Sequence, residues 1–516
     1  MTAKVALVYP PLWDSVDSPP LGPAVLAGAL RAAGIEAGFV DLNLDFHEWL
    51  FSNEALAWLL SRAREGDHRE EVAGIEHLLG LPAAQRVARP ERTAPLMALS
   101  YALGMRARPV LGPQRFLVGV DSSKVRLGDL LAPRGEPEPR MEFWRAWIAA
   151  HVRPIVERGP ALVAMTISYV GQLLPAILIA QELGRCMTPA PKVIVGGPWC
   201  THQAVSGVDV TPLFSVFDGI GVGPGDQVIV RAAASAPELP RDIPGLWCRG
   251  QRRPERGPER GPELDRPAPT SPDFSAMPLD RYFAAGPPRY PLESSRGCWA
   301  ACRYCNYPAL NRGYRVKGIE QIVAEVTAIH DRHPGAEITF VDDTILPKRA
   351  LVMAEALGGL ASARGHAVRW SGCLRPDAGL TAEQCRALAA GGMWRVFIGL
   401  DAATQDLLDG IDKRVTVAEI RELVGNYKAA GIIVAGNFIL GLPGETLAAR
   451  EAVPALMDEL GLDREHVTTS LFALVRGSWY YDHIEELGWP EEWVRQVRSN
   501  DVLTDFLPAY SLRVLQ

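Results

Sequence analysis

The sequence predicts an α/β protein in two parts: an N-terminal doubly wound parallel sheet with a helical insertion, then a partial barrel of six βα units. Three observations predict it. Short apolar runs alternate with stretches of helical period in two separate blocks, the pattern of parallel sheets covered by helices. A charged stretch, Arg252-Arg253-Pro254-Glu255-Arg256-Gly257-Pro258-Glu259-Arg260-Gly261-Pro262-Glu263, divides the blocks and has no apolar side chain to bury. The 516 residues also exceed what one hydrophobic core organises. The expected division is a first domain over 1–248, a linker over 249–271, the barrel over 272–475 and a short C-terminal region over 476–516.

In the first block, Lys4–Tyr9 reads as a strand, Pro10–Pro20 as a loop and Gly22–Ala33 as a helix stopped by Gly34. Ala37–Asp41 follows as a second strand. The pattern resumes with strand Ala161–Ile167, helix Leu173–Leu183, strand Lys192–Val195 running into Gly196-Gly197, and strand Gly219–Val222 running into Gly223. Residues 46–155 between these halves carry helical spacing in Glu54–Arg64 and Met141–Val156. A structureless loop of that length is uncommon in a compact domain, so a helical insertion is expected. In the second block the expected strands are Leu292–Ser295, Glu337–Val341, Val368–Cys373, Arg395–Leu400, Ile432–Leu440 and His466–Ala473. Amphipathic helices lie between them, among them Ile319–His330 and Val417–Ala429. In such barrels function gathers on the loops after the strand C-termini.

Composition narrows the function. Hydrophobic residues make up 48% and charged residues 22%, and the formal net charge is -7. Without a basic surplus to track phosphates, no nucleic-acid partner is expected. The N-terminus has no apolar core of a secretion signal, and no run approaches the ~18 apolar residues that cross a bilayer. A cytoplasmic protein without a membrane partner is therefore expected. Eight cysteines are too sparse for a disulfide framework. Cys186, Cys200, Cys248, Cys373 and Cys385 are scattered, whereas three are clustered.

The cluster is Ser294-Ser295-Arg296-Gly297-Cys298-Trp299-Ala300-Ala301-Cys302-Arg303-Tyr304-Cys305-Asn306. Three thiolates at these spacings can converge on one small centre, and soft thiolates select zinc or iron–sulfur clusters. A structural zinc site wants four protein ligands, and no fourth Cys or His lies nearby. Three ligands leave one iron with open positions. Plain buried thiols and a zinc site with a distant fourth ligand remain alternatives.

Cys298-x-x-x-Cys302-x-x-Cys305, with Tyr304 before the last cysteine, resembles the signature of radical S-adenosylmethionine (SAM) enzymes. The resemblance implies a [4Fe-4S] cluster on Cys298, Cys302 and Cys305 whose open iron chelates the amino and carboxylate groups of SAM. The reduced cluster then cleaves SAM to methionine and a 5′-deoxyadenosyl radical. It also implies an external electron donor of the flavodoxin or ferredoxin type. Other segments resemble the family's cofactor loops in order over residues 290–475. They are Phe340-Val341-Asp342-Asp343, Trp370–Asp377 with Arg375, Gly399-Leu400-Asp401 (where Asp replaces the usual Glu), and Gly436-Asn437-Phe438-Ile439-Leu440-Gly441-Leu442-Pro443-Gly444-Glu445. Tyr304, Asp342, Arg375, Asp401, Asn437 and Gly441 are thereby implied as SAM contacts.

The preceding domain resembles the cobalamin-binding domain of one radical SAM subgroup. The matching segments are Tyr9-Pro10-Pro11, Pro20-Leu21-Gly22, Thr166-Ile167-Ser168-Tyr169, Val195-Gly196-Gly197-Pro198 and Gly223-Pro224-Gly225-Asp226. The resemblance implies cobalamin contacts at Tyr9, Pro10, Pro11, Thr166, Ser168, Tyr169, Gly196, Gly197, Pro198 and Gly223. Asp-x-His-x-x-Gly is missing from the first loop, so no histidine ligand to cobalt is expected there. Gly223-Pro224-Gly225-Asp226 departs from the subgroup's Gly-Glu-Gly-Glu, and a domain that keeps the fold and binds nothing is the alternative.

With both cofactors the implied reaction is C-methylation of an unactivated carbon. The helical insertion after Asp41-Leu42-Asn43-Leu44-Asp45-Phe46 further resembles maturation enzymes of ribosomally made peptides, which suggests a peptide or other small natural-product substrate. Ring formation or rearrangement on the same two domains is the alternative chemistry, and an iron–sulfur redox sensor is the alternative of another class. A sensor has no need of the Asp342, Arg375 and Asn437 loops.

Overall fold

The computed structural model describes residues 5–12, 16–86, 93–102, 131, 139–250, 270–282, 287–307 and 314–498. The charged repeat at 252–263 lies outside the described residues. The chain divides into two compact units, the first ending at 286 and the second running from 287.

In the first unit, β1 (Val5–Tyr9), β2 (Ala37–Asp41), β3 (Leu162–Thr166), β4 (Lys192–Gly196), β5 (Gly219–Gly221) and β6 (Leu246–Cys248) form one sheet in the order β2-β1-β3-β4-β5-β6. Five strands are parallel, and β6 returns antiparallel against β5. Every residue of β1 and β3 is buried, as expected of central parallel strands covered on both faces. The chain leaves β1 for β2 on one side and returns to β3 on the other. The order therefore reverses between β1 and β3, where doubly wound folds open a ligand crevice beyond the strand C-termini.

The insertion is helical over its described parts, with helices at Leu42–Leu50, Asn53–Glu65, Arg69–Leu79, Thr93–Ala102, Pro139–His151 and Arg153–Arg158. Its two ends meet where Phe46 packs on Trp144 and Trp147, with ring centroids 5.2 and 5.6 Å apart. Residues 270–282 also belong to this unit. The Thr270 hydroxyl donates to Asp226 (2.7 Å), the Asp273 N–H to the Ala24 carbonyl (2.8 Å), Arg281 to Asp45 and Glu48, and the Tyr282 hydroxyl to Asp41. Packing thus carries the first unit past position 272, where the sequence reading starts the barrel.

The second unit contains β7 (Arg289–Leu292), β8 (Ser295–Arg296), β9 (Arg315–Val316), β10 (Glu337–Phe340), β11 (Trp370–Cys373), β12 (Met393–Asp401), β13 (Ile433–Leu440) and β14 (Val467–Leu471). Six strands run parallel in the order β14-β13-β12-β11-β10-β7, a half-barrel laid down in chain order. Helices at Ile319–Arg332, Pro347–Arg364, Ala382–Ala390, Val417–Ala429 and Leu447–Leu460 connect them. Two of these helices start on capping boxes, Thr381 with Gln384 and Thr416 with Glu419. Along β12, Val396, Ile398 and Leu400 are buried, while Arg395, Phe397 and Gly399 alternate onto the other face. The first strand lies three residues earlier than the expected Leu292–Ser295. Ser294 falls in a turn, and Ser295 leaves the sheet for the β8–β9 pair, opposite Val316.

Candidate active site

The loop after β7 carries the three cysteines. Gly297 opens it at φ 101, a conformation that glycine adopts without strain. Its N–H donates to Asp343 (2.9 Å). Cys298, Cys302 and Cys305 are free thiols, Cys302 buried and the other two half-buried. The Ala300 N–H donates to the Cys298 sulfur (3.4 Å) and the Cys305 N–H to the Cys302 carbonyl (2.9 Å). Burial pushes the Cys298 thiol up and the Cys305 thiol up to about 12, and the charges of neighbouring cysteines add to both shifts. Among the described residues no three His, Cys, Asp or Glu side chains stand close enough to share one metal ion.

Two adjacent carboxylates after β10 hold the loop. Asp342 is 5% exposed and accepts from the Ser294 N–H (3.0 Å), the Ser294 hydroxyl (2.8 Å), the Ser295 hydroxyl (2.5 Å) and the Ser295 N–H. Burial pushes its carboxyl up to about 6, against the pull of these donors. Asp342 thus faces the turn that launches the cysteine loop. From behind, Arg349 donates to the carbonyls of Ser294 (2.7 Å) and Lys317 (2.8 Å), and the Lys317 N–H donates to the Ser294 carbonyl (2.8 Å). The Lys317 ammonium is 1% exposed and makes two 2.9 Å bonds to Glu325.

A second set of charges also reaches the loop. Arg375, in the loop after β11, donates to both oxygens of Asp377 (2.8 and 3.1 Å), to the Lys413 carbonyl (2.9 Å) and to the Cys302 sulfur (3.4 Å). Tyr304 donates to Asp401 (2.7 Å), which also pairs with the buried Lys413 ammonium. Asp401 sits at φ 60, an unfavourable backbone for a non-glycine residue that these two partners hold in place. Burial and the Asp401 charge push the Tyr304 hydroxyl well up. A Cβ on Gly399 would come within 2.8 Å of the Lys413 nitrogen, so glycine leaves room for the pair.

Farther along the sheet, Asn437 on β13 donates to the Ser470 hydroxyl (3.0 Å) and accepts from Thr468 (2.9 Å), an exposed polar row across β13 and β14. The Gly441 N–H donates to Glu445 (3.0 Å), which Arg450 also engages. Asn437 and Gly441 thus stay with β13 and its following turn, while Tyr304, Arg375 and Asp401 gather around the cysteine loop.

In the first unit, the predicted residues lie at the C-terminal ends of β1, β3, β4 and β5. The Tyr9 hydroxyl donates to Ser168 (3.3 Å). The buried Gln172 links two loops, donating to the Pro10 carbonyl (2.8 Å) and accepting from the N–H groups of Ser168 (2.8 Å) and Tyr169 (3.3 Å). Gly197 stands at φ 105, and a Cβ there would lie 2.7 Å from the Ile167 oxygen. The helix that Pro198 opens after Gly197 carries Thr201, whose hydroxyl accepts from the Gly223 N–H (2.9 Å). Thr166 lies under Gly22, where an added Cβ would meet its methyl at 3.4 Å. Pro11 is buried in the β1 loop.

Sequence reasoning missed several members of the site. Lys413 lies in no motif of the sequence, yet is 3% exposed. Cys373 reads as scattered but ends β11, where burial pushes its thiol up to about 11 and the charges of Asp342 and Cys298 reach it. Arg303, between two of the cysteines, lies 4.5 Å from the Trp479 ring, and the Tyr480 N–H donates to its carbonyl (3.0 Å). The segment after β14 therefore buttresses the loop. The one available signal was the aromatic run Trp479-Tyr480-Tyr481.

Residues 292–456 match the Radical SAM superfamily model, so the half-barrel is a radical SAM domain. An uncharacterized methyltransferase of Pyrococcus horikoshii is 28% identical over 201 residues, 38% of this chain and 42% of that protein. The anaerobic magnesium-protoporphyrin IX monomethyl ester cyclase of Cereibacter sphaeroides is 28% identical over 155 residues, 30% of this chain and 25% of that protein. The matches thus span less than half the length of these two relatives. Among solved structures, the radical SAM methyltransferase TsrM of Kitasatospora setae, with cobalamin and a [4Fe-4S] cluster bound, superposes with a TM-score of 0.59 at 18% identity, over 93% of this chain and 77% of that one. The cobalamin-dependent SAM radical enzyme OxsB, with aqua-cobalamin bound, superposes with a TM-score of 0.62 at 12% identity, over 98% and 64%. The two-part α/β fold is shared with both.

Proposed function

We propose that this radical SAM enzyme uses cobalamin to place a methyl group on an unactivated carbon of a peptide or related natural product. The observation that carries the reading is the cysteine loop: three free thiols, with Asp342 and Asp343 holding the turn that opens it and Arg375 donating to Cys302. Cys298, Cys302 and Cys305 would hold the cluster. Bound together, the cluster with SAM and cobalamin would supply radical generation and a transferable methyl group.

The protein's own work is to hold and shield. Asp342 fixes the Ser294-Ser295 turn, so that the first cysteine starts from a defined backbone. Tyr304 orients its ring through Asp401, whose own charge Lys413 neutralises. Asn437, Thr468 and Ser470 offer amide and hydroxyl groups suited to a ribose or a polar substrate. In the first unit, the strand order reverses between β1 and β3, and β4 beside β3 ends in Gly196-Gly197, glycines that would let a long ligand tail approach the backbone closely. Tyr9, Pro10, Pro11, Thr166, Ser168, Tyr169, Pro198 and Gly223 would contact the cofactor there, and Gln172 joins the β1 and β3 loops.

The test is anaerobic reconstitution of the full chain with iron, sulfide and hydroxocobalamin, followed by incubation with methyl-labelled SAM and candidate peptides. Label on a product carbon, together with 5′-deoxyadenosine, is expected. 5′-Deoxyadenosine with an unlabelled, cyclised or rearranged product would refute methyl transfer.

A further inference from the structure

We propose that Arg375 is a positioning residue that sets the reduction potential of the cluster through Cys302, rather than a residue that grips SAM. The proposal rests on the reading of the cysteine loop as a cluster site. A guanidinium has five N–H groups. Here Nε and one Nη2 hydrogen form a fork on Asp377 (2.8 and 3.1 Å), the other Nη2 hydrogen meets the Lys413 carbonyl (2.9 Å), and Nη1 points at the Cys302 sulfur (3.4 Å). The residue is 8% exposed. Swinging it toward a carboxylate of SAM would break the bidentate pair and the carbonyl contact together.

The contact to sulfur is also unlike its counterpart at Cys298. That sulfur accepts a neutral backbone N–H from Ala300, whereas Cys302 accepts from a cation. An electron entering an iron–sulfur cluster spreads over its sulfurs, so a donor to one of them stabilises the reduced state more than the oxidised state. Asp377 cancels only part of this charge, because its side chain is 26% exposed against 9% for Arg375. Lys413, the other buried cation nearby, is already matched by Asp401.

The experiment is a dithionite titration of the reconstituted full chain, without SAM and again with it, followed by paramagnetic resonance, for the wild type, Arg375→Gln, Arg375→Lys and Asp377→Asn. Arg375→Gln is expected to make reduction at least tenfold less favourable, a fall of about 59 mV for one electron. Arg375→Lys should recover part of that fall. Asp377→Asn, which leaves the Arg375 charge uncompensated, should raise the potential and decides the matter if Arg375→Gln fails to load iron. A fully loaded Arg375→Gln with the wild-type potential would overturn the proposal. So would a shift that appears only after SAM is added, or an Asp377→Asn potential at or below the wild-type value. A wild-type chain that binds no cluster would instead overturn the functional reading on which the proposal rests.

Discussion

Replacing Lys317 by Met tests how the cysteine loop is supported. Lys317 is 1% exposed and Glu325 9%, and they meet through two 2.9 Å bonds. Met keeps the aliphatic stem and strips the buried Glu325 carboxylate of its cation, leaving it the Gln321 amide at 3.2 Å. Removing one partner of a buried pair typically costs about 3–5 kcal/mol, because the other charge is stranded. For a unit of roughly 150–250 residues each kcal/mol shifts Tm by about 2–4 °C, so a fall of about 6–20 °C is expected. Calorimetry of the full chain reads it as a displaced transition. A second substitution, Glu325→Leu on Lys317→Met, should restore most of the loss, since an apolar pair of similar volume needs no compensation. A drop below about 1 kcal/mol in Lys317→Met is what an exposed pair gives, and it would refute the burial argument.

Two further predictions concern other parts of the chain. His330 is buried, with Nδ1 2.9 Å from the Nε2 of His366 and Nε2 3.1 Å from the Ala336 carbonyl, while Asp331 and Arg364 pair nearby. Burial lowers its pKa from 6.5, with His366 and Arg364 adding to the shift and Asp331 opposing it. The stability it contributes is therefore complete above about pH 6.5 and lost as pH falls through the depressed folded value; Tm should drop with acid in the wild type and less steeply in His330→Gln, and parallel slopes would contradict this. The β1 loop begins Pro10-Pro11-Leu12 and has no histidine before Pro20, so cob(II)alamin bound to the chain should show no hyperfine splitting from a protein nitrogen in paramagnetic resonance; a clear triplet would contradict the reading and direct attention to His47 or His202.

The parallel architecture was legible because its determinants are local. Mostly apolar runs such as those within Lys4–Tyr9 and Ala161–Ile167, helices of clear period and the glycines at strand ends all announce themselves within a dozen residues. The cysteine motif was legible for the same reason. What escaped depends on contacts distant in sequence. Tyr282 reaches back to Asp41, and so residues 270–282 pack with the first unit. Asp342 holds Ser294 and Ser295, which ends β7 at Leu292 and turns the chain into a two-residue strand no propensity reveals. The four hydrogen bonds of Arg375 run to Asp377, Lys413 and Cys302, and the last two partners stand far from it in the chain. Lys413 shows the limit most plainly. Flanked by Asp412 and Arg414 it looks solvated, and only the left-handed turn at Asp401 brings in the carboxylate that lets it be buried.

The central claim is that Cys298, Cys302 and Cys305 hold a cluster that cleaves SAM. The most direct measurement is iron content and 5′-deoxyadenosine formation in the anaerobically reconstituted chain and in its triple Ala variant at these positions, with Cys186→Ala, Cys248→Ala and Cys385→Ala as controls. Four irons and 5′-deoxyadenosine are expected in the wild type and in each control, and neither in the triple variant. A triple variant that still binds four irons and releases 5′-deoxyadenosine would contradict it.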